Sequence, residues 1–164
     1  NVGTLNLYQQ MGAAAGVVVL LADVGKGVLA VHLPSMLGAP DWARYVIAFA
    51  VVAGHTWPIF LGFRGGKGAA TILGVGLGLA PLLTGIALVP VIVAVVAIRN
   101  VVLGVALAFI LFNILTIATG EPWALIGTFL ALTVGVVANY LARTIQQVAS
   151  ALRNRRWRSL LYPE

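Results

Sequence analysis

The chain has 164 residues, of which 61% are hydrophobic and 9% are charged, and its mean hydropathy is +1.04. Soluble domains carry about 25% charged residues, so this composition excludes a water-exposed globule and predicts an integral membrane protein. The net charge of +6 does not indicate nucleic-acid binding, because the basic residues lie at the edges of apolar runs and in one tail, where membrane topology accounts for them. The chain has no cysteine, which excludes disulfides, thiolate catalysis and cysteine–metal sites.

Six apolar runs predict the membrane helices. In chain order they cover residues 13–31, 43–60, 69–80, 82–97, 101–119 and 122–141. Four of them have roughly the 17–25 residues needed to span a bilayer. The third run is short, and Pro81 separates it from the fourth. These two runs form either two short spans or one long helix kinked at the proline.

The distribution of basic residues favours two separate spans. In that arrangement the loop with Arg64 and Lys67, Arg99 and the basic residues from Arg143 onward share one side, and Arg44 lies on the other. The positive-inside rule places the richer side in the cytoplasm. The expected fold is an all-α polytopic membrane bundle with six transmembrane helices in residues 1–142 and a basic cytoplasmic tail in 143–164. The short third helix would be buried, with its glycine loop dipping inward.

That glycine loop is Arg64-Gly65-Gly66-Lys67-Gly68. Its glycines let the backbone N–H groups approach a ligand closely, and apolar sequence resumes at Ala69, which predicts a helix N-terminus that favours an anion. Arg64 and Lys67 add two positive charges, so the loop is predicted to bind phosphate. Since Gly68 follows Lys67, the loop lacks the G-x-x-x-x-G-K-[ST] spacing, and an ATP-hydrolysing P-loop is not supported.

Four polar residues near or within the apolar runs are further candidates. Asp23 and Lys26 share a helix face at i, i+3 spacing and form either a structural ion pair or a polar cavity in which Lys26 meets an anion. His55 either hydrogen-bonds a neighbouring helix or orients the loop or a substrate. Arg99 is either a topology anchor or a second phosphate contact. No metal site is expected, because His32 lies near the opposite face and carboxylates are scarce.

Polar segments also lie at the two ends of the chain. The opening turn with Asn1, Gly3 and Asn6 is on the same predicted side as the glycine loop, where it is either an ordinary loop or a source of further donors to a phosphate. The basic segment that begins at Arg143 is expected to lie on anionic lipids, with Asn154 as its one candidate site residue.

Four segments follow known motifs in order and spacing over residues 1–103. Residues 1–6 resemble the end of Gly-Ser-Gly-Asn-Ile-Gly-Ala-Thr-Asn, and residues 23–27 resemble Asp-Val-Leu-Lys-Gly. Residues 54–71 resemble Gly-His…Pro-Val-Phe…Phe-Lys-Gly-Gly-Lys-Gly-Val-Ala-Thr, and Arg99 resembles the arginine of Thr-Arg-Tyr-Val-Ser-Leu. With these motifs the chain resembles the bacterial membrane acyl-phosphate:glycerol-3-phosphate acyltransferases.

The chain departs from the family pattern at several positions. Gln9 and Val102 stand where the family has an arginine and a serine. If Asn154 corresponds to the asparagine of the family's late His-x-x-Asn motif, Ala151 occupies the place of its histidine.

The resemblance implies seven membrane helices, with one missing ahead of Asn1, in a bacterial plasma membrane and with the active site facing the cytoplasm. It implies transfer of a fatty acyl group from acyl phosphate to the 1-hydroxyl of glycerol 3-phosphate, which gives lysophosphatidic acid and inorganic phosphate without coenzyme A, a metal or another cofactor. The catalytic residues would be Asn6, His55 and Lys67. The expected phosphate contacts are Asn1, Gly3, Lys26, Arg64, Gly65, Gly66, Gly68, Thr71 and Arg99.

Two other functions remain open from the residues. A membrane transporter or lipid-handling protein would use the same pocket to bind a phosphorylated anion without acyl transfer. A degenerate family member would act only as a structural partner.

Overall fold

The computed structural model describes residues 12–63 and 65–153, and all regular structure within these ranges is helical. The elements are α1 (Ala13–Met36), α2 (Ala43–Thr56), a 3-10 turn (Ile59–Leu61), α3 (Ala69–Leu79), α4 (Pro81–Val93), a π-helical turn (Ala94–Ile98), α5 (Val101–Ala118) and α6 (Trp123–Arg153). The predicted all-α membrane bundle is confirmed.

Five helical segments in the described part of the chain are long and apolar enough to cross a membrane. They are Ala13–Met36, Ala43–Leu61, Pro81–Ile98, Val101–Ala118 and Trp123–Ser150. Helix α3 is apolar but has only 11 residues, which rise about 16 Å at 1.5 Å per residue, roughly half of a hydrocarbon core of about 30 Å. The short third helix expected from the sequence is therefore present.

The chain breaks between α3 and α4. Ala80 has non-helical backbone angles, φ −146° and ψ 69°, and Pro81 begins α4, where its missing N–H has no helical partner to lose. A Cβ at Gly76 would lie 2.7 Å from the hydroxyl oxygen of Thr84, although one continuous helix would hold these residues about 12 Å apart. The structure thus has two separate helices, as the charge distribution predicted.

Helix α3 packs directly on the backbone of α1. A Cβ at Gly27 of α1 would overlap the backbone of α3, and a Cβ at Gly74 of α3 would overlap the carbonyl group of Val24. Farther along, Gly78 lies against Val31. Residue numbers increase together along the two helices, so they run parallel, and α3 lies beside the second half of α1. The glycine loop ahead of α3 is therefore near the middle of α1 and not at its end.

The interior is one cluster of buried apolar side chains contributed by all six helices. Within it, Phe112 of α5 packs on Phe129 of α6 with ring centroids 4.4 Å apart. The side-chain amide of Asn113 donates to the hydroxyl of Thr133 at 3.0 Å and joins the same two helices. Many large apolar side chains are exposed on every helix except α3, a surface suited to lipid. The chain is a multi-pass membrane protein.

Helix α6 is longer than a membrane span. It continues without interruption to Arg153, past the boundary between residues 142 and 143 that was expected to separate the membrane domain from the tail. That division stays a prediction. The C-terminal part of α6 reaches the glycine loop, so the loop and this end of α6 lie on one side, while the Asp41–Arg44 pair lies at the start of α2 on the other.

The backbone contact between α1 and α3 can be tested with an alanine at Gly74. We expect Gly74→Ala to destabilise the protein by about 1–3 kcal/mol, because the new methyl group overlaps a backbone carbonyl that cannot rotate away. Thermal unfolding in detergent measures the change. The control is Gly127→Ala on α6, where a Cβ meets open space. Equal melting temperatures for the two variants would contradict the packing.

Candidate phosphate-binding site

Three polar side chains from α1 and α2 meet inside the bundle. Nζ of Lys26 lies 2.6 Å from Oδ1 of Asp23 and 2.6 Å from Nδ1 of His55. Oδ1 of Asp23 is 3.4 Å from the same His55 nitrogen. The side chains of Asp23 and His55 are 11% and 9% exposed, whereas that of Lys26 is 37% exposed. The predicted contact between Asp23 and Lys26 is confirmed, and His55 completes the cluster.

These contacts determine which nitrogen of His55 carries the proton. An ammonium group has only donors, so Nδ1 of His55 accepts from Lys26. In a neutral imidazole we therefore assign the proton to Nε2. Nε2 is the ring atom nearest to a Cβ placed at Gly66. His55 therefore presents an N–H group to the glycine loop.

The glycine loop folds back on the end of α2. The N–H group of Gly65 donates to the carbonyl of Thr56, and that of Gly66 donates to the carbonyl of His55, each at 3.2 Å. A Cβ at Gly65 would overlap the His55 carbonyl, and a Cβ at Gly66 would overlap the imidazole. These two glycines thus allow the loop to approach α2. Their N–H groups are already occupied, which corrects the expectation that all the loop amides face a phosphate.

The loop continues through Lys67 and Gly68 into the first turn of α3. Gly68 has φ +95° and precedes the first residue of α3, a conformation that residues with a Cβ rarely adopt. Its carbonyl accepts from Ile72 at 2.9 Å, as the first bond of the helix. Within the described residues, the N–H groups of Lys67 and Gly68 have no acceptor. They lie at a helix N-terminus, where an anion is favoured.

Helix α6 supplies a residue that sequence reasoning missed. Arg143 donates from Nη1 to the carbonyl of Gly65 at 3.0 Å and from Nη2 to that of Gly66 at 3.4 Å. It was assigned to the basic tail, although its spacing of i, i+3 from Tyr140, at the end of an apolar run, places both on one helix face. That spacing was the available signal.

Lys67 lies beside the same face of α6. Its side chain is exposed, and Nζ lies 4.5 Å from the centroid of the Tyr140 ring, within the range of a cation–π interaction. Partial burial, and after it the positive charge of Arg143, hold the pKa of Lys67 below its usual value of 10.5.

Two other predicted residues are described, and neither side chain is hydrogen-bonded to this cluster. Arg99 is exposed in a left-handed turn with φ 54° before α5, and no hydrogen bond or ion pair joins it to the described residues of the site. Thr71 is fully buried in the first turn of α3, and its hydroxyl has no partner among the described residues. The candidates outside the described residues are Asn1, Gly3, Asn6, Arg64 and Asn154.

Comparison with known proteins identifies the family. Residues 1–150 match the family model described as glycerol-3-phosphate acyltransferase. The chain belongs to this family. A glycerol-3-phosphate acyltransferase from Halalkalibacterium halodurans is 37% identical over 163 residues, which cover 94% of this chain and 78% of that protein. One from Streptococcus equi subsp. zooepidemicus is 50% identical over 82 residues, which cover 50% of this chain and 38% of the relative.

Two solved structures of PlsY (YgiH), an integral membrane glycerol 3-phosphate acyltransferase, share the fold. The glycerol 3-phosphate form aligns with a TM-score of 0.79 and 25% identity, and covers 90% of this chain and 74% of that one. The lysophosphatidic acid form aligns with a TM-score of 0.77 and 26% identity, and covers 90% and 76%. The acyltransferase family recognised from the sequence motifs is confirmed.

The buried ion pair can be tested by removing one partner and then both. We expect Asp23→Leu to destabilise this acyltransferase family member by about 1–3 kcal/mol, because it leaves the partly exposed Lys26 ammonium without its carboxylate. Adding Lys26→Leu should recover part of the loss. Thermal unfolding in detergent measures both.

The matched control is Asp41→Ala, which removes an i, i+3 partner of Arg44 at 3.7 Å. Asp41 is 94% exposed, so little change is expected. A double Leu variant that is less stable than Asp23→Leu alone would contradict the ion-pair account.

Proposed function

We propose that this protein is a glycerol-3-phosphate acyltransferase that takes its acyl group from acyl phosphate. It esterifies the 1-hydroxyl of glycerol 3-phosphate and releases lysophosphatidic acid and inorganic phosphate, in a bacterial plasma membrane and with its site facing the cytoplasm. The observation that carries the proposal is the family match over residues 1–150. The similar PlsY structures are of a glycerol 3-phosphate form and a lysophosphatidic acid form, a substrate and the product of this reaction.

The geometry of the glycine loop supports a phosphorylated substrate. The N–H groups of Lys67 and Gly68, which have no acceptor among the described residues, lie at the N-terminus of α3. The Lys67 side chain adds a positive charge to the loop, and Arg64, outside the described residues, adds a second charge in the sequence. Both proposed substrates carry phosphate, and the donor also carries a fatty chain. A loop near the middle of α1, among lipid-facing helices, suits a donor with one anionic end and one apolar end.

The proposed reaction needs no nucleophile from the protein. The 1-hydroxyl oxygen of glycerol 3-phosphate forms a bond to the acyl carbon, and the bond from that carbon to the bridging phosphate oxygen breaks. The hydroxyl proton leaves with the phosphate as hydrogen phosphate. Because acyl phosphate is a mixed anhydride with a good leaving group, orientation of the two substrates and stabilisation of the developing charge are sufficient. Lys67 supplies positive charge beside the departing phosphate.

We assign His55 to orientation of the loop and not to proton removal. Its Nδ1 accepts from Lys26, and its Nε2 carries the proton, so the ring offers no lone pair to a substrate hydroxyl. Lys26 is partly exposed and keeps donors for an anionic ligand. The contributions of Asn1, Gly3 and Asn6, and those of Thr71 and Arg99, stay predictions.

An acyl-transfer assay tests the function directly. Membranes that contain the protein should convert acyl phosphate and labelled glycerol 3-phosphate to labelled lysophosphatidic acid. We expect Lys67→Ala to lower the rate by about 10²–10³-fold, because it removes a charge aimed at the leaving phosphate. Arg44→Gln, on the opposite side of the bundle, is the control and should retain activity.

Other outcomes of the assay would overturn the proposal. Accumulation of labelled glycerol 3-phosphate inside vesicles without product would indicate a transporter. Neither product nor accumulation would indicate a structural role.

The lowered pKa of Lys67 predicts the alkaline limit of substrate binding, which is the pH at which half of the affinity for glycerol 3-phosphate is lost. Because its pKa is lowered, the Lys67 ammonium loses its proton below pH 10.5. The affinity for glycerol 3-phosphate should therefore fall as the pH rises, and the midpoint of this fall should lie below pH 10.5. In Lys67→Arg the guanidinium stays charged over this range, and the fall should disappear. Titration calorimetry between pH 7 and 10.5 measures the affinity. The same fall in both proteins would assign it to another group.

A further inference from the structure

The backbone of the glycine loop is held from two sides. On one side, the N–H groups of Gly65 and Gly66 donate to carbonyls at the end of α2. On the other, the carbonyls of the same two residues accept from the guanidinium of Arg143 on α6. Nε of Arg143 donates to Oδ1 of Asn139 at 3.0 Å, one turn earlier on the same helix. This hydrogen bond within α6 orients the guanidinium plane toward the loop.

We propose that Arg143 and Tyr140 are positioning residues of the phosphate site. Arg143 clamps the Gly65–Gly66 backbone against α2, and Tyr140 holds the Lys67 ammonium over its ring, so that the anion-binding groups are arranged before the ligand arrives. This inference rests on the proposed function and adds to it two residues of α6. Neither lies in a segment that carried the family resemblance.

The hydrogen bonds from Arg143 to Gly65 and Gly66, here called the clamp, matter because glycine has no strong preference for one backbone conformation. Without a Cβ, a Gly-Gly segment populates many backbone angles. The orientation of the N–H groups of Lys67 and Gly68 depends on these angles. Four hydrogen bonds to Gly65 and Gly66, two from N–H groups and two to carbonyls, remove this freedom. A guanidinium donates to the two carbonyls from two different nitrogens in a fixed plane, whereas an ammonium donates from a single nitrogen on a flexible stem.

Tyr140 acts on the side chain of Lys67. A lysine side chain has several rotatable bonds, and ordering it on ligand binding costs conformational entropy. The contact with the Tyr140 ring restricts the lysine side chain before a ligand binds. The ring, and not its hydroxyl, makes this contact, so phenylalanine should replace tyrosine and leucine should not.

Arg143 also sets the charge around Lys67. Its guanidinium is the second cause, after burial, of the lowered Lys67 pKa. Among the described residues, the other titratable groups near the loop are Tyr140 on α6 and His55 on α2, with Lys26 and Asp23 of α1 beyond the imidazole. An Arg143 variant keeps all of these groups, and the comparison of Arg143→Gln with Arg143→Lys separates the loss of the positive charge from a change in the position of the loop.

The test compares Arg143→Gln and Arg143→Lys with a control, Arg153→Gln, at the exposed end of α6. In the acyl-transfer assay we expect Arg143→Gln to lower kcat/KM for glycerol 3-phosphate by about 10- to 100-fold through misplacement of the loop. Its alkaline limit should move to higher pH. Arg143→Lys keeps the charge and the wild-type alkaline limit but should still lose most of the activity. Arg153→Gln should match the wild type.

The positioning role of Tyr140 is tested in the same assay. Tyr140→Leu should raise KM for glycerol 3-phosphate with a smaller effect on kcat, and Tyr140→Phe should restore KM. Melting temperatures measured alongside show whether any variant has lost its fold, and kinetic constants are compared per folded protein.

The outcomes separate this inference from the proposed function. A wild type that makes no lysophosphatidic acid contradicts the acyltransferase function. The clamp is then judged by calorimetric binding of glycerol 3-phosphate, which Arg143→Gln should weaken about 10-fold or more. Wild-type affinity and kinetics in Arg143→Gln and Tyr140→Leu would overturn the positioning roles. Full recovery in Arg143→Lys would reduce the role of Arg143 to its charge.

Discussion

The structure depends on one requirement, that irregular backbone inside a membrane bundle must find its hydrogen-bond partners within the protein. The Gly65–Gly66 segment meets it completely. Its two N–H groups bond to the end of α2, and its two carbonyls bond to the guanidinium of Arg143. No water is needed for these four groups. Helices α2 and α6 are thereby joined through a stretch of chain that has almost no side chains of its own.

Close packing of small residues decides where this segment lies. Gly27 and Gly74 let the backbones of α1 and α3 touch, and this contact aligns α3 with the second half of α1. The start of α3 then lies beside the buried Asp23–Lys26–His55 cluster. A bulkier interface would hold the helices apart and separate the glycine loop from the histidine that contacts it. Packing between helices and the arrangement of polar groups are thus set by the same pair of glycines.

Much of this architecture could be predicted from the sequence, because it depends on short-range patterns. Apolar run length located the helices, Pro81 and the charge distribution separated α3 from α4, and i, i+3 spacing paired Asp23 with Lys26. The contacts of His55 with Lys26 and of Arg143 with the loop join residues 29 and 78 positions apart, and no local pattern encodes them. The direction of the Gly65 and Gly66 amides was wrongly expected for a related reason. A glycine adopts the backbone angles that its neighbours impose.

The half-length of α3 has a consequence for the insulating layer of the membrane. Where the other helices carry apolar sequence across the whole bilayer, this position has only about 16 Å of it. The apolar layer at this position consists of the buried side chains Ile72 and Val75 and of the neighbours that cover them. The N-terminus of α3, with its polar backbone groups, therefore lies at a depth that the longer helices fill with apolar side chains.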